Sequence, residues 1–340
     1  MPSRPPDSQL DLFGGAGEGA PGVAPVSNEI GAAPVPAAHQ DAARKLPPGL
    51  RMGTSSWFFP GWEGIVYDRS ASKPELSRHG LKPYARHPLL RAVGIDRTFY
   101  APVSSDVFKG YAADVPQDFR FVVKAHDALT LARFPAHARY GAKAGQPNPL
   151  FLDAAYATDA VVQPYVEGLG PKGGALVFQF SPQAPDLLDP QTFPDRLYRF
   201  LSRLPKGPVY AVEVRNGSLL TPRYARALAA AGAVHAPNVW GPMPDVETQA
   251  RLTGALGGRA LVIRWMLPEH LSYEEAKVRY APFTRLVDVD PRIRGSVLRL
   301  CAQAVAAGTP AYVIVNNKAE GSAPLTVFEL SQAFASRRGA

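Results

Sequence analysis

One cysteine, Cys301, is all the chain carries, so no disulfide can form within it and a zinc-binding cysteine pair is excluded. It sits in the apolar pattern Val297, Leu298, Leu300, Cys301 and Val305, which reads as the buried face of a helix. No stretch approaches the roughly 18 to 20 uncharged apolar residues of a membrane span, and the N-terminus lacks the apolar centre of a signal peptide. A cytoplasmic protein is therefore the default expectation. A Walker lysine loop and a nucleophile elbow are also missing. Gly168-Leu169-Gly170-Pro171-Lys172-Gly173 has dinucleotide-fingerprint spacing, but it follows a helical segment and precedes a strand-like one. That is the reverse of the order that puts phosphate on a helix N-terminus, so it reads as a turn, and no cofactor is expected.

What is present divides into two parts. Residues 1–48 are rich in Pro, Ala and Gly, and bury too little to offset the entropy of ordering, so they are expected to form a disordered tail. Residues 49–340 have the length and composition of one large domain. Eight short β-rich apolar runs recur along it, at 51–55, 92–99, 119–124, 175–180, 209–214, 233–239, 260–264 and 311–316. Continuous apolar runs suit parallel strands covered on both faces. Helix signals lie between them. Phe193, Leu197, Phe200, Leu201 and Leu204 form a stripe, Thr221-Pro222 opens a helix that Gly232 closes, Ser272 to Glu275 is a capping box, and Ala323 to Arg337 supplies a last helix. Eight alternating units predict an α/β fold, a (β/α)8 TIM-type barrel.

Within the tail, Gln9-Leu10-Asp11-Leu12-Phe13 resembles the peptide by which many bacterial replication and repair proteins dock on the ring-shaped DNA sliding clamp. Leu12 and Phe13 would fill an apolar pocket, Leu10 would add contact and the Gln9 amide would fix orientation. The bacterial sliding clamp is thus the expected partner, through residues 9–13.

In the domain, Gly53-Thr54-Ser55-Ser56-Trp57 with Pro60-Gly61-Trp62 and Tyr67, then Thr98-Phe99-Tyr100, resembles the opening of the YecE-like family, domain of unknown function 72. Phe121 to Ala125, Phe178 to Pro182, Val212 to Asn216, and Asn316-Asn317 with Glu320-Gly321 extend the match to the C-terminus. The resemblance implies a barrel and no particular reaction. This chain departs from the family pattern at three places. Gly94-Ile95-Asp96-Arg97 stands where members commonly read Glu-Ile-Asn-Ser, Arg264-Trp265-Met266-Leu267 where they read Arg-Phe-His-Gly, and Thr130-Leu131 where they read Thr-His. An acidic group and two histidines are replaced.

In such a barrel the polar residues that end the strands surround the site. Lys124, Arg215 and Arg264 are placed to clamp a carboxylate or phosphate, with Asn316 and Asn317 as positioning amides and Gln179 as a further ligand-binding residue. Glu213 is the candidate general acid or base, or the partner of one of those cations. Trp57, clustered with Phe58, Phe59 and Trp62, offers a stacking surface or core packing. Asp96, His126, His235 and Asn238 complete the ring. Lone histidines near strand ends read as structural, so no tightly held metal is expected.

The net charge of +8 is compatible with nucleic acid, through counterion release, but the arginines are spread over many elements, as in Arg69, Arg78, Arg86, Arg91 and Arg97. The insertion at 127–153 is long for a barrel loop, and reads as a cover over the site or as a disordered surface excursion. The expectation is a clamp-recruited barrel that binds or acts on a phosphate-bearing or other anionic ligand, DNA in repair or replication being one candidate. Two alternatives stand beside it: an enzyme acting on a small sugar phosphate or organic acid, and a non-catalytic clamp adaptor with no membrane partner.

Overall fold

The computed structural model describes residues 29–337, so the pentapeptide at 9–13 lies outside the described residues. Among the described residues nine strands form one curled parallel sheet: β1 (Leu50–Thr54), β2 (Ala92–Ile95), β3 (Arg120–Lys124), β4 (Gly173–Phe180), β5 (Tyr210–Val214), β6 (Val234–His235), β7 (Asn238–Val239), β8 (Leu261–Trp265) and β9 (Ala311–Val315). Their order across the sheet is β6-β5-β4-β3-β2-β1-β9-β8-β7. Twelve α-helices accompany them among the described residues. The first six are α1 (Ala37–Lys45), α2 (Lys73–His79), α3 (Leu81–Tyr84), α4 (Ser105–Ala113), α5 (Ala154–Ala157) and α6 (Gln163–Leu169). The others are α7 (Phe193–Arg203), α8 (Pro222–Ala231), α9 (Val246–Thr253), α10 (Tyr273–Tyr280), α11 (Pro291–Ala306) and α12 (Ala323–Arg337). None is long and apolar enough to cross a membrane.

The strands are buried on both faces, which is why they appear in the sequence as unbroken apolar runs. One face packs on the helices. The other carries Val122, Ala175, Val177, Ala211, Val262, Tyr312 and Ile314, which form an inner apolar cluster of their own. Side chains alternate along a strand, so the next inward positions toward the C-terminal ends are Lys124, Gln179, Glu213, Arg264 and Asn316. A polar layer therefore caps the apolar interior by periodicity alone. Gly53 lets β1 and β2 pair closely, because a Cβ there would lie 1.7 Å from the Ala92 carbonyl oxygen.

Two expected runs differ in detail. The run at 92–99 stops as a strand at Ile95, and Arg97–Phe99 turns as a 3-10 helix. The Thr98 hydroxyl drives that turn by reaching the carbonyls of Ile95 at 2.9 Å and Lys124 at 2.6 Å. The run at 233–239 is split into β6 and β7 by Ala236 and Pro237. Its first half pairs with β5 and its second with β8, while the Ala236 N–H donates to Val212 and the Pro237 carbonyl accepts from Arg264. Proline has no N–H to continue a ladder, so the break falls there.

The boundary expected at 48/49 also moves. Residues assigned to the tail from composition fold onto the domain from residue 29 onward. Ile30, Ala42, Ala43 and Leu46 are buried in the main core, and Ala32 forms an antiparallel bridge with Tyr67. Arg91 fixes the C-terminal end of α1 by donating to the carbonyls of Ala43 at 2.6 Å and Leu46 at 3.4 Å, where a cation also complements the helix dipole.

Helix ends follow their sequence signals. Thr221 caps α8 by accepting from the Tyr224 N–H, and Gly232 ends it in the left-handed region at φ +69°. Ser272 and Glu275 form a reciprocal capping box on α10. Replacing Ser272 with alanine is expected to cost about 1 kcal/mol, read as a lower urea midpoint at unchanged slope. Cys301 lies buried in α11, where burial pushes its thiol up to about 12, so it packs as a small apolar group.

The insertion at 127–153 is an ordered element. Asn148 donates to the carbonyls of Ala128 at 2.7 Å and Leu131 at 2.6 Å, and Arg139 pairs with Asp127 and Tyr140. Its guanidinium also lies 5.0 Å from the Tyr100 ring centroid, so the insertion covers the C-terminal ends of β2 and β3.

Candidate functional site

Five strands separate β5 from β8 in the sheet, yet their side chains touch, so the curl brings the inner polar residues together. Glu213 is at the centre, fully buried. Its Oε1 accepts from Arg215 Nε at 2.9 Å, and its Oε2 lies 3.1 Å from Arg264 Nε, an ion pair without an aligned hydrogen bond. Arg215 also donates to the Gln179 amide oxygen at 2.9 Å, and its guanidinium stacks 3.8 Å from the Trp240 ring centroid. Arg264 reaches Asp96 Oδ1 at 3.3 Å and Met266 Sδ at 3.4 Å. Met266 occupies the position where the resembling family carries histidine, so a thioether takes the contact beside Arg264.

The electrostatics follow from this geometry. Burial alone would raise the Glu213 carboxyl, but Arg264, Arg215 and Lys124 outweigh it and hold it below its ordinary value. A carboxylate so held is a weak base, and its contacts make it the anchor of two guanidiniums. Burial likewise opposes the Arg264 charge, yet Glu213 and Asp96 hold that group above its usual value. Lys124 fares differently. Its ammonium lies 3.6 Å from the Phe99 ring centroid and makes no ion pair among the described residues. Burial, with Arg264 and Arg215 opposing Asp96, lowers it to about 7.

The two strand-end histidines stand apart from this cluster in their bonding. His235 lies between the Tyr224 hydroxyl at 3.0 Å and the Gln249 amide oxygen at 3.2 Å, and burial lowers it to about 4. His126 sits 2.8 Å from the Tyr156 hydroxyl and is lowered to about 4, by burial first and then by Arg139 and Lys143. Asn238 donates to the Val214 carbonyl at 3.1 Å and ties β7 to β5.

Beside the charged cluster, at the C-terminal ends of β1, β2 and β9, is a cavity of about 210 Å³. Asn316, Asn317 and Trp57 line it, whereas Lys124, Arg215, Gln179, Glu213 and Arg264 do not. The expected site residues thus fall into two neighbouring groups, joined by Asp96, which borders the cavity and pairs with Arg264. Trp57, Phe58 and Trp62 are buried and form much of the roof, with Trp62 Nε1 donating to Asn317 at 3.3 Å. Asn316 Nδ2 donates to Ser55 at 2.9 Å, so β9 and β1 hold one another's polar ends.

Four cations border the same space: Lys73 on α2, Arg97 after β2, Lys277 on α10 and Lys318 after β9. Asp96 is the one carboxylate among the lining residues. Lys318 was not singled out from the sequence. It is 7% exposed, its ammonium 3.9 Å from the Tyr273 ring centroid and 5.6 Å from that of Phe283. The signal available was its place next to Asn316-Asn317 at the end of a strand.

A curled parallel sheet with a cavity at the carboxyl ends of its strands, lined by aromatic rings and four cations, defines an α/β architecture. The chain belongs to the family described as Protein of unknown function DUF72, whose model matches residues 51–340. Its fold is similar to that of a DUF72 family protein from Enterococcus faecalis V583, with TM-score 0.55 and 14% identity over 84% of this chain and 95% of that one. A DUF72 family protein from Thermotoga maritima MSB8 gives TM-score 0.54 and 15% identity over 84% and 98%. Among curated proteins no match is found. At these identities the structural likeness concerns the fold.

Proposed function

We propose that the sheet closes as a (β/α)8 barrel, with residues 234–239 as one interrupted strand, and that the cavity at its mouth binds a small anionic ligand bearing phosphate or carboxylate. The observation that carries the ligand assignment is the charge of the lining, four cations against one carboxylate. A desolvated cation gains most from an anion where water is scarce, and the aromatic roof keeps water scarce here. Lys73 and Lys277 supply the outer charges, and the Asn316 and Asn317 amides, fixed by Ser55 and Trp62, orient the ligand. The size of the space favours a small organic phosphate or acid over a DNA duplex.

In this reading, the Glu213 cluster is the rigid floor that keeps Asp96 turned toward the cavity through Arg264. Recruitment to the sliding clamp by Gln9 to Phe13 is a separate part of the proposal and rests on the pentapeptide alone. It is tested by clamp pull-down, in which Phe13→Ala should abolish retention. For the cavity, inorganic phosphate and small phosphorylated acids should raise the melting temperature of the wild-type protein. Binding should weaken at least tenfold, about 1.4 kcal/mol, in the double variant Lys73→Gln with Lys277→Gln. Equal binding by that variant would refute the assignment.

A further inference from the structure

Lys318 differs from the other cations of the cavity. Lys73 and Lys277 are half-buried and Arg97 is exposed, whereas Lys318 is enclosed against Tyr273 and Phe283. It makes no ion pair among the described residues. A lysine whose work was only to hold an anion would keep its charge best with water or a carboxylate beside it, and this one has aromatic faces instead. We propose that Lys318 is an amine nucleophile that condenses with a small aldehyde or ketone carrying an anionic group, bound in this cavity.

The proposal rests on the anion-site reading above and deepens it. The Lys318 Nζ lone pair attacks the carbonyl carbon, a C–N bond forms, and the π electrons pass to oxygen, which takes a proton to give a carbinolamine. Loss of that hydroxyl as water, with the remaining N–H proton going to solvent or a base, gives the imine. No oxidant or reductant is consumed. Asp96, the lining carboxylate, is the available proton carrier, and the anionic group of the substrate meets Lys73 and Lys277.

The protonation state agrees with the geometry. Burial first and then Lys277 lower the Lys318 ammonium to about 8, against Glu274 on the same helix as Lys277. Asp96, Arg97 and Lys73 face the cavity from the other elements packed around it. Near pH 8 about half of the amine is free, where an ordinary surface lysine is almost wholly protonated.

The test uses the full chain with glyoxylate as the probe, borohydride as the trap, and peptide mass mapping to locate carboxymethyl-lysine. Lys318 should be modified at least tenfold faster than the surface lysines, with a pH midpoint near 8, and inorganic phosphate should slow the reaction. In Lys318→Met the fast labelling should vanish, and in the wild type phosphate should raise the melting temperature. Even labelling across the lysines, or fast labelling that survives Lys318→Met, overturns the nucleophile. If phosphate stabilisation persists in that case, the anion site stands without it. If phosphate has no effect on the wild type either, both readings fall.

Discussion

Glu213→Gln should lower the unfolding free energy by about 3–5 kcal/mol at pH 7, and the melting midpoint by roughly 5–8 °C. The side chain is nearly isosteric, so no cavity is made. What changes is that Arg215, Arg264 and Lys124, all buried, lose the carboxylate they share, leaving Asp96 as the only neighbouring acid among the cluster's described contacts. Removing one member of a buried ionic group leaves charge without compensation, which costs more than the intact group contributes. The pH dependence gives a second check. Glu213 has its folded value depressed, so its contribution is complete above the unfolded carboxyl range near pH 4.3 and is lost as pH falls through the folded value. The difference between wild type and variant should therefore shrink in acid. Equal stability at pH 7 by urea titration would rule out the ionic role.

Lys124→Met should do the opposite and stabilise the protein at pH 6, by on the order of a few kcal/mol. In the folded chain Lys124 loses its proton at about 7, while in the unfolded chain it does so near the ordinary value of 10.5. Between those values the unfolded state binds more protons, so wild-type stability rises with pH through this window. Below pH 7 both states are charged and the full penalty of burying the ammonium applies. Above pH 10.5 neither is charged. Methionine fills the space without the charge, so its advantage should be greatest at pH 6 and fade toward pH 10. A variant less stable than wild type at pH 6, or a gap that widens with pH, would contradict the assignment. Such a stabilising loss is the sign of a residue kept for something other than folding.

The strands were legible in the sequence because a strand covered on both faces has no polar alternation to obscure it. β5 and β9 in particular are five-residue apolar runs with one charged residue between them, Glu213. The charged layer was legible for a related reason. Lys124, Glu213 and Arg264 each follow an inward apolar residue by two positions, so period alone put them on one face. What the sequence concealed was the pairing. Which cation Glu213 holds depends on how far the sheet curls, since β8 meets β5 only across the interior.

Lys318 was hidden because its burial is made by Tyr273 and Phe283, which arrive from α10 and the loop after it. The folding of residues 29–48 is invisible to composition because Ala42 and Ala43 bury little area each, and composition does not register that Arg91 captures the carbonyls at the end of α1. Pro237 lies inside an apolar run of the sequence, although its missing N–H is what divides β6 from β7.

The way the N-terminal segment joins the domain has one more consequence. Gly31 donates to Asp68 at 2.9 Å, Ala33 donates to Val66 at 2.9 Å, and the Tyr67 hydroxyl donates to the Trp57 carbonyl. A pull on the segment is thus delivered to residues 66–68 before it reaches any strand. Those residues end the same loop whose beginning, from Trp57, lines the cavity. Force applied at the N-terminus would be felt first by the ceiling of the cavity, while the sheet beneath it stayed unloaded.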